Sequence, residues 1–236
     1  MISWPPPIAE EPPSMKICVV TPYFETDPAW LRQGHASVLG QTIPAQHILV
    51  CDGSAPVQIE AFQGTHIILQ RNYKDYGNTP RLIGCYNAIT QGADAIAFLD
   101  GDNWFLPNHL ENLLRFATDN QLDACSSSRT LHRADGSLIG PCRTVNGRPY
   151  IDTSCLLILK SAFQHMITWA LFPQAVAAVT DQHVWNHMKT AGLRLGFLDK
   201  PSLCYRTRHA SHYRQAGETP PSDAIDRVDL DGEHYQ

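Results

Sequence analysis

The first half of the chain alternates short apolar runs with segments of helical periodicity. Four runs rich in β-branched residues predict buried strands, at residues 16–24, 47–54, 65–72 and 94–102. Apolar residues at helical spacing predict helices at 28–42, 80–93 and 107–120, each with a proline near its start. This order predicts an α/β fold with a mainly parallel sheet flanked by helices.

The second half has a less regular pattern, which predicts a small antiparallel portion. Residues 129–141 predict a hairpin that turns at Ala134, Asp135 and Gly136. Residues 152–163 predict a buried strand that runs into a helix, and 194–205 a last strand and turn. A helix is predicted at 180–192, capped by Thr180 or Asp181 and ended by Gly192.

Composition and repeats predict one folded domain. Residues 1–14 are proline-rich and predict an extended, mobile leader, whereas 218–236 form a polar tail that we expect to be loosely held. Neither an internal repeat nor a linker divides residues 15–217. We therefore expect a single domain over 15–217.

Charge and cysteine content limit the possible partners and compartment. The net charge of −5 argues against a nucleic-acid partner bound by bulk attraction. The seven cysteines are scattered singly, which favours free thiols and a cytoplasmic location. No signal peptide is visible, and the longest apolar segment, 166–179, is too short for a transmembrane span. Peripheral contact with a membrane remains compatible with this pattern.

Polar residues stand where the predicted strands end, at Thr21, Asp52, Arg71 and Asp100. Parallel sheets bind ligands at the carboxyl ends of their strands. We therefore expect a binding site at this edge.

The sequence Asp100-Gly101-Asp102 presents two carboxyl groups two residues apart. In an extended chain such residues project to the same side, so both can address one ligand. Carboxylates at this spacing suit Mg²⁺ or Mn²⁺ held together with substrate phosphates, and Gly101 allows close approach. An ordinary Asp-Gly turn at the end of a strand is the alternative interpretation.

Several short motifs in a fixed order resemble the nucleotide-sugar glycosyltransferases of family 2, which have the GT-A (Rossmann-like) fold. The resemblance covers about residues 16–217. It rests on the ordered segments VVTPYF, SVLGQT, CDGS, PRLIGCYNAI, AFLDGDN and DQHVW. It implies that residues 15–105 form a nucleotide-binding half and 106–217 an acceptor-binding and catalytic half.

The resemblance also implies roles in binding the donor. Thr21 and Pro22 would lie against the base, Asp52 would accept a hydrogen bond from it, and Arg81 would lie near the base and phosphates. Cys51 stands where the family usually has a first acid before Asp52. Asp100 would accept from the ribose hydroxyls or lie close to the metal, Gly101 would belong to the nucleotide-sugar site, and Asp102 would bind the metal, Mn²⁺ or Mg²⁺.

The later motifs imply a base and further ligands. Asp181 matches the general base of inverting members, although Thr180 replaces the acid that usually precedes it. A helix N-cap is the alternative role for Asp181. In the segment 205–217 a late histidine would complete the metal shell, with His212 preferred to His209. Nearby arginines would screen the diphosphate: Arg206, Arg208 and Arg214.

Other residues have simpler interpretations. His183 and His187 have the i, i+4 spacing of zinc sites, but we favour a helix surface because no third ligand is evident. Trp104 and Phe105 suit either an acceptor platform or core packing, and the same holds for Trp169 and Trp185.

The sequence thus predicts a metal-dependent, inverting glycosyltransferase that uses a UDP- or GDP-sugar. The acceptor is open between a glycan, a lipid-linked and a small-molecule hydroxyl compound, and retaining chemistry also stays open. A nucleotidyltransferase is less favoured, because PYFETDPAW after the first strand has no glycine to form a phosphate loop. A degenerate protein that binds nucleotide-sugar or glycan without catalysis is the third hypothesis, suggested by Cys51 and Thr180.

Overall fold

Nine strands form a single sheet in the computed structural model, which describes residues 15–53, 62–148 and 150–226. The predicted leader, 1–14, lies outside the described residues. The order across the sheet is β3-β2-β1-β4-β8-β6-β9-β5, with β7 paired to β6. The strands are β1 (Ile17–Tyr23), β2 (Ala45–Cys51), β3 (Thr65–Ile68), β4 (Ala95–Phe98), β5 (Trp104–Phe105), β6 (Ala124–His132), β7 (Leu138–Pro141), β8 (Leu156–Leu159) and β9 (Leu195–Arg206).

The first half of the chain forms the parallel part of the sheet. β1 pairs in parallel with β2 and β4, and β2 pairs in parallel with β3. Ile17 lies opposite both Ala45 and Ala95 in register. The polar residues after these strands therefore meet at one edge, as predicted.

The second half adds the predicted antiparallel portion. β8 pairs antiparallel with β4 and β6, and β6 forms the predicted hairpin with β7. The predicted strand and turn over 194–205 is instead one twelve-residue strand, β9, which pairs with both β6 and β5. The short strand β5 was not predicted, because two residues give no periodic pattern.

Helices flank both faces of the sheet. The α-helices are α1 (Pro28–Leu39), α2 (Asn78–Thr90), α3 (His109–Asp119), α4 (Thr180–Thr190) and α5 (Ala210–Gln215). In the described parts of the chain, three 3₁₀ segments accompany them: Thr153–Cys155, Lys160–Ala170 and Gln174–Val179. None of the described helices is long and apolar enough to cross a bilayer.

Several helix boundaries differ from the prediction by two or three residues, and the first residues of α4 and α3 show two of the differences. α4 begins at Thr180 and its N-cap is Val179, so the prediction of Thr180 or Asp181 as the cap was wrong. The Thr180 hydroxyl accepts a hydrogen bond from Asn78 Nδ2 at 2.9 Å, so this side chain joins α4 to α2. α3 begins at His109, so Pro107 lies before the helix.

Side chains that alternate along β1 separate two apolar layers. Cys18 and Val20 pack toward α2 and α4, whereas Ile17 and Val19 pack toward α1 and α3. Gly84 permits the close approach of α2, because a Cβ atom there would lie 2.4 Å from Val20 Cγ1. All seven cysteines are free, as predicted, and all are buried.

Residues 218–226 of the predicted tail pack against the domain. Ile225 donates a main-chain hydrogen bond to Arg208 and accepts one from Ala210, at 2.7 and 3.1 Å. Glu218 forms an ion pair with Arg133 at 2.5 Å. This part is held more firmly than the sequence predicted, and residues 227–236 lie outside the described chain.

Candidate active site

The carboxyl edge of the parallel strands borders a cavity of about 640 Å³, which we call the first cavity. It collects the residues that follow β1, β2 and β4. The predicted site residues among those that line it are Pro22, Asp52, Arg81, Asp100, Gly101 and Asp102. The structure therefore brings most of the predicted donor-binding residues together, although they are distant in sequence.

Asp100 and Arg81 form an ion pair at the floor of this cavity. Arg81 Nη2 donates to Asp100 Oδ1 at 2.6 Å, and the two side chains are 8% and 28% exposed. The other terminal nitrogen of Arg81 donates to the Tyr76 carbonyl at 2.9 Å. Gly77 lies beside Pro22 and this guanidinium at φ +82°, a backbone conformation that favours glycine, and a Cβ atom there would lie 3.2 Å from Pro22. α2 thus holds a fixed positive charge beside Asp100.

The carboxyl group of Asp102 forms no ion pair with any described residue. Burial and then the neighbouring charge of Asp100 raise the pKa of Asp102 to about 7. Within the described chain, no other residue donates a hydrogen bond to its side chain. Its main-chain carbonyl, however, accepts a hydrogen bond from Arg206. The positive charge of Arg206 acts on this carboxyl, but among the described residues Asp102 forms no ion pair, so its carboxyl oxygens can accept a cation.

The described residues contain no group of three or more His, Cys, Asp or Glu side chains arranged to hold a metal ion. A cation here would therefore be held by Asp102, with Asp100 close by, together with oxygens of a bound substrate. This donor set fits Mg²⁺ or Mn²⁺, which bind proteins through one or two carboxylates and substrate phosphates.

The ends of β1 and β2 place their predicted residues differently. Asp52 lies in the first cavity, and its Oδ1 accepts a hydrogen bond from the main-chain N–H of Tyr73 at 3.0 Å. Burial raises the pKa of Asp52. Pro22 also lines the cavity, whereas Thr21 is buried beneath it and pairs with His47 Nε2 at 2.7 Å. The Thr21 side chain therefore packs beneath the cavity and does not line it.

A second cavity, of about 280 Å³, adjoins the first and contains Asp181. Arg81, Asp100 and Asp102 line both cavities. Burial, followed by the charge of Asp152, raises the pKa of Asp181 to about 7. The side chain accepts a hydrogen bond from the Gln182 N–H at 2.8 Å. Asp181 thus combines an accessible carboxyl with a pKa suited to proton transfer near neutrality.

The two candidate histidines occupy different positions. His209 lines the second cavity together with Asp102. His212 is buried, its Nδ1 pairs with Thr207 Oγ1 at 2.7 Å, and it faces a third cavity of about 380 Å³. Burial lowers the pKa of His212 to about 3, so its ring is neutral. The structure therefore brings His209, the second choice, rather than His212 into the same cavity as Asp102.

The three arginines of the late segment differ in availability. Arg206 is buried between the rings of Trp30 and Trp104, and it borders the second cavity but not the first. Arg214 is exposed and pairs with Asp226 at 2.8 Å. Arg208 lines the first and second cavities, and its guanidinium forms no ion pair with a described residue. Arg208 is thus the one of the three placed to contact a phosphate group.

The remaining aromatic and histidine candidates have structural surroundings. Phe105 is buried and stacks on His109 at 4.1 Å, and Trp169 and Trp185 belong to the core. Trp104 packs on Arg206. His187 lies on the surface with its Nε2 3.2 Å from His165 Nδ1, and His183 stacks on Phe172.

Three residues of the site were missed by sequence reasoning. Asp152 and Arg129 form a buried ion pair, and the Arg129 guanidinium lies 3.8 Å from the ring centroid of Tyr205. Tyr205 lines all three cavities. The segment 205–217 had drawn attention for its basic residues, but no sequence signal linked it to residues 129 and 152.

Comparison with known proteins identifies relatives of the chain. The sequence profile described as Glycosyl transferase family 2 matches residues 18–179, more than half of the chain. The succinoglycan biosynthesis protein ExoW of Rhizobium meliloti (strain 1021) is 33% identical over 124 residues. That match covers 49% of this chain and 38% of ExoW.

Solved structures share the fold at low sequence identity. S. aureus TarS 1–349 in complex with UDP superimposes with a TM-score of 0.61 and 15% identity, covering 86% of this chain and 63% of that one. The complex of TarS 1–349 with UDP-GlcNAc gives a TM-score of 0.62 and 16% identity, covering 84% and 60%. The chain thus spans less than two thirds of each of these relatives.

Proposed function

Since the chain belongs to glycosyl transferase family 2, we propose that it moves a sugar from a nucleotide-sugar donor to an acceptor hydroxyl, with Asp181 as general base. The observation that carries the proposal is that Asp100, Asp102 and Asp181 line one cavity. A donor diphosphate at the acidic pair therefore has a base within the same space.

The donor occupies the first cavity in this proposal. Asp52 and Pro22 border the base, and Arg81 fixes Asp100 beside the ribose and phosphates. Arg208 is free to neutralise a phosphate oxygen. TarS structures hold UDP and UDP-GlcNAc, and the shared fold makes UDP-sugars the first donors to test, ahead of GDP-sugars.

A divalent cation, Mn²⁺ or Mg²⁺, would be held by Asp102, with His209 preferred to His212 as a further ligand because it lines the same cavity. When bound, such a cation stabilises the negative charge that develops on the departing diphosphate. The closeness of the Asp100 and Asp102 carboxyl groups, which raises the pKa of Asp102, supports this role.

The proposed transfer has a simple proton balance. The acceptor oxygen bonds to the anomeric carbon and its proton passes to the Asp181 carboxylate. The bond between that carbon and the diphosphate oxygen breaks, and its electron pair leaves with the diphosphate. Attack opposite the leaving group inverts the anomeric configuration, which NMR of the product would report. The seven free cysteines favour the cytoplasm as the place of reaction.

A thermal-shift screen tests the donor and the cation together. UDP-, GDP- and dTDP-sugars are added with Mn²⁺, with Mg²⁺ and without metal. We expect one donor to raise the melting temperature in the presence of metal, and Asp102→Asn to remove the metal-dependent part. No stabilisation by any donor under any condition would contradict the proposal. Asp199→Asn, at an exposed position on β9, is the matched control.

A further inference from the structure

The third cavity extends from Asp181 away from the donor side. Its wall combines the loop after β7 with the start of α4 and with α5. It shares Asp152, Asp181, Tyr205 and His209 with the second cavity. A molecule in the third cavity can therefore present a hydroxyl group to Asp181.

Unused hydrogen-bonding groups line this cavity. In the described parts of the chain, their side chains hydrogen-bond to no other residue. These residues are Arg143, Tyr150, Gln182, Ser211 and Gln215. Such a wall suits a polar ligand with several hydroxyl groups, because each group is available without breaking an internal bond.

The fixed charges of the cavity leave one cation uncompensated. Arg129 and Asp152 neutralise each other in a buried ion pair. Arg143 is exposed and forms no ion pair among the described residues. An arginine without an acidic partner at the wall of a polar cavity suits a carboxylate or phosphate group, which it binds through parallel N–H donors.

The position of Arg143 separates it from the base. It also lines a fourth cavity of about 230 Å³, together with His212 and Gln215 but without Asp181. An anionic group on the side of Arg143 that faces the fourth cavity would thus occupy a space that Asp181 does not border. The same molecule can keep its nucleophilic hydroxyl at Asp181, and the two negative charges stay apart.

We propose that the third cavity is the acceptor subsite and that it selects a sugar with an acidic substituent, a carboxylate or a phosphate, which Arg143 binds. The proposal rests on the proposed transferase function for the identity of Asp181 as base. The preference for an acidic ligand, however, is a property of the cavity itself and is measurable without turnover.

Direct binding of matched probes tests the proposal. Methyl β-glucoside, the corresponding methyl glucuronide and methyl glucoside 6-phosphate are titrated in the presence of UDP, with ligand-observed NMR as the readout. We expect one or both acidic probes to bind about tenfold more tightly than the neutral glucoside. The two acidic probes distinguish carboxylate from phosphate recognition. Equal affinity for all three, or no binding of either acidic probe, overturns the proposal.

Two variants assign the preference to one side chain. Arg143→Gln should reduce the preference to less than about twofold, while Arg148→Gln, exposed on the same loop, should keep it. A preference that survives in Arg143→Gln contradicts the proposal. The melting shift caused by UDP-sugar is recorded for each variant and should not change. If UDP-sugar causes no melting shift in the wild-type protein, that result counts against the transferase function, independently of the affinities for the acidic probes.

Discussion

The guanidinium of Arg206 donates a hydrogen bond to the main-chain carbonyl of Asp102. The central carbon of this guanidinium lies 4.8 Å from the ring centroid of Trp30 on α1 and 4.7 Å from that of Trp104 on β5. Gln33 and the Ala134 carbonyl accept its remaining hydrogen bonds at 2.7 and 3.0 Å. Arg206, a buried residue of β9, therefore links that strand to the turn that carries Asp100 and Asp102.

Replacement of Arg206 should disturb this turn. Arg206→Lys keeps a positive charge but loses the planar group that reaches three acceptors, so we expect kcat to fall about tenfold or more. Donor KM should rise less than kcat falls. Arg194→Lys, which alters a side chain 59% exposed, is the control. Unchanged steady-state constants in Arg206→Lys would show that the turn holds its shape without this contact.

The ion pair of Arg81 with Asp100 should contribute to both stability and donor binding. In Arg81→Gln the Asp100 carboxylate loses its partner, so the free energy of unfolding should decrease by about 1–3 kcal/mol. The exposed pair of Arg115 with Glu111 gives the comparison, and Arg115→Gln should change stability by less than about 0.5 kcal/mol. Urea denaturation measures both. Equal effects of the two substitutions would refute the assigned importance of the buried pair.

Removal of the proposed base should separate chemistry from binding. Asp181→Asn keeps the size of the side chain but cannot take the acceptor proton, so kcat should fall roughly 10²–10⁴-fold. The melting shift caused by donor and metal should stay near its wild-type value. If kcat is retained, another group accepts the proton and the assignment to Asp181 is wrong.

The rate should depend on pH through Asp181. Its pKa is raised to about 7, and the ionised form is the base, so kcat should rise with pH and level off above about pH 8. The measurement uses saturating donor and metal, because Asp102 also has a pKa of about 7 before a cation is bound. A rate that is flat between about pH 5 and 8 argues against a base with this pKa.

Stability should depend on pH in the opposite sense. The folded pKa of Asp181 lies above its unfolded value, so the folded state binds a proton that the unfolded state releases between about pH 4 and 7. Stability is therefore lost as pH rises through this window. Asp181→Asn should raise the melting temperature clearly at about pH 8 and little at about pH 4. A gain of the same size at both values would point to packing instead.

The parallel half of the fold follows from local sequence patterns. β1, β2 and β4 each contain an apolar run, and Asp52 and Asp100 follow within two residues of the ends of β2 and β4, so local patterns were sufficient to predict their shared edge. The second half depends on non-local pairing. The segment around Lys200 and Pro201 has turn residues, yet it stays within β9 because the residues on both sides of it, 195–198 and 203–206, pair with β6 and β5.

The site was predictable to the same extent as the strands that carry it. Asp152 and Arg129 meet because β8 and β6 are neighbours in a sheet order that the sequence does not reveal. The choice between His209 and His212 depended on α5, a six-residue helix too short to give a periodic signal. That helix turns His212 toward Thr207 and the third cavity.

The ring of Tyr205 borders the first, second and third cavities, with Arg129 stacked on it. In the proposed enzyme, donor and acceptor therefore share this ring as a common wall. If the donor binds one position of this ring more tightly, it changes the affinity for the acceptor, and by thermodynamic reciprocity the acceptor changes the affinity for the donor by the same factor. The two substrates would then bind cooperatively through a single aromatic side chain.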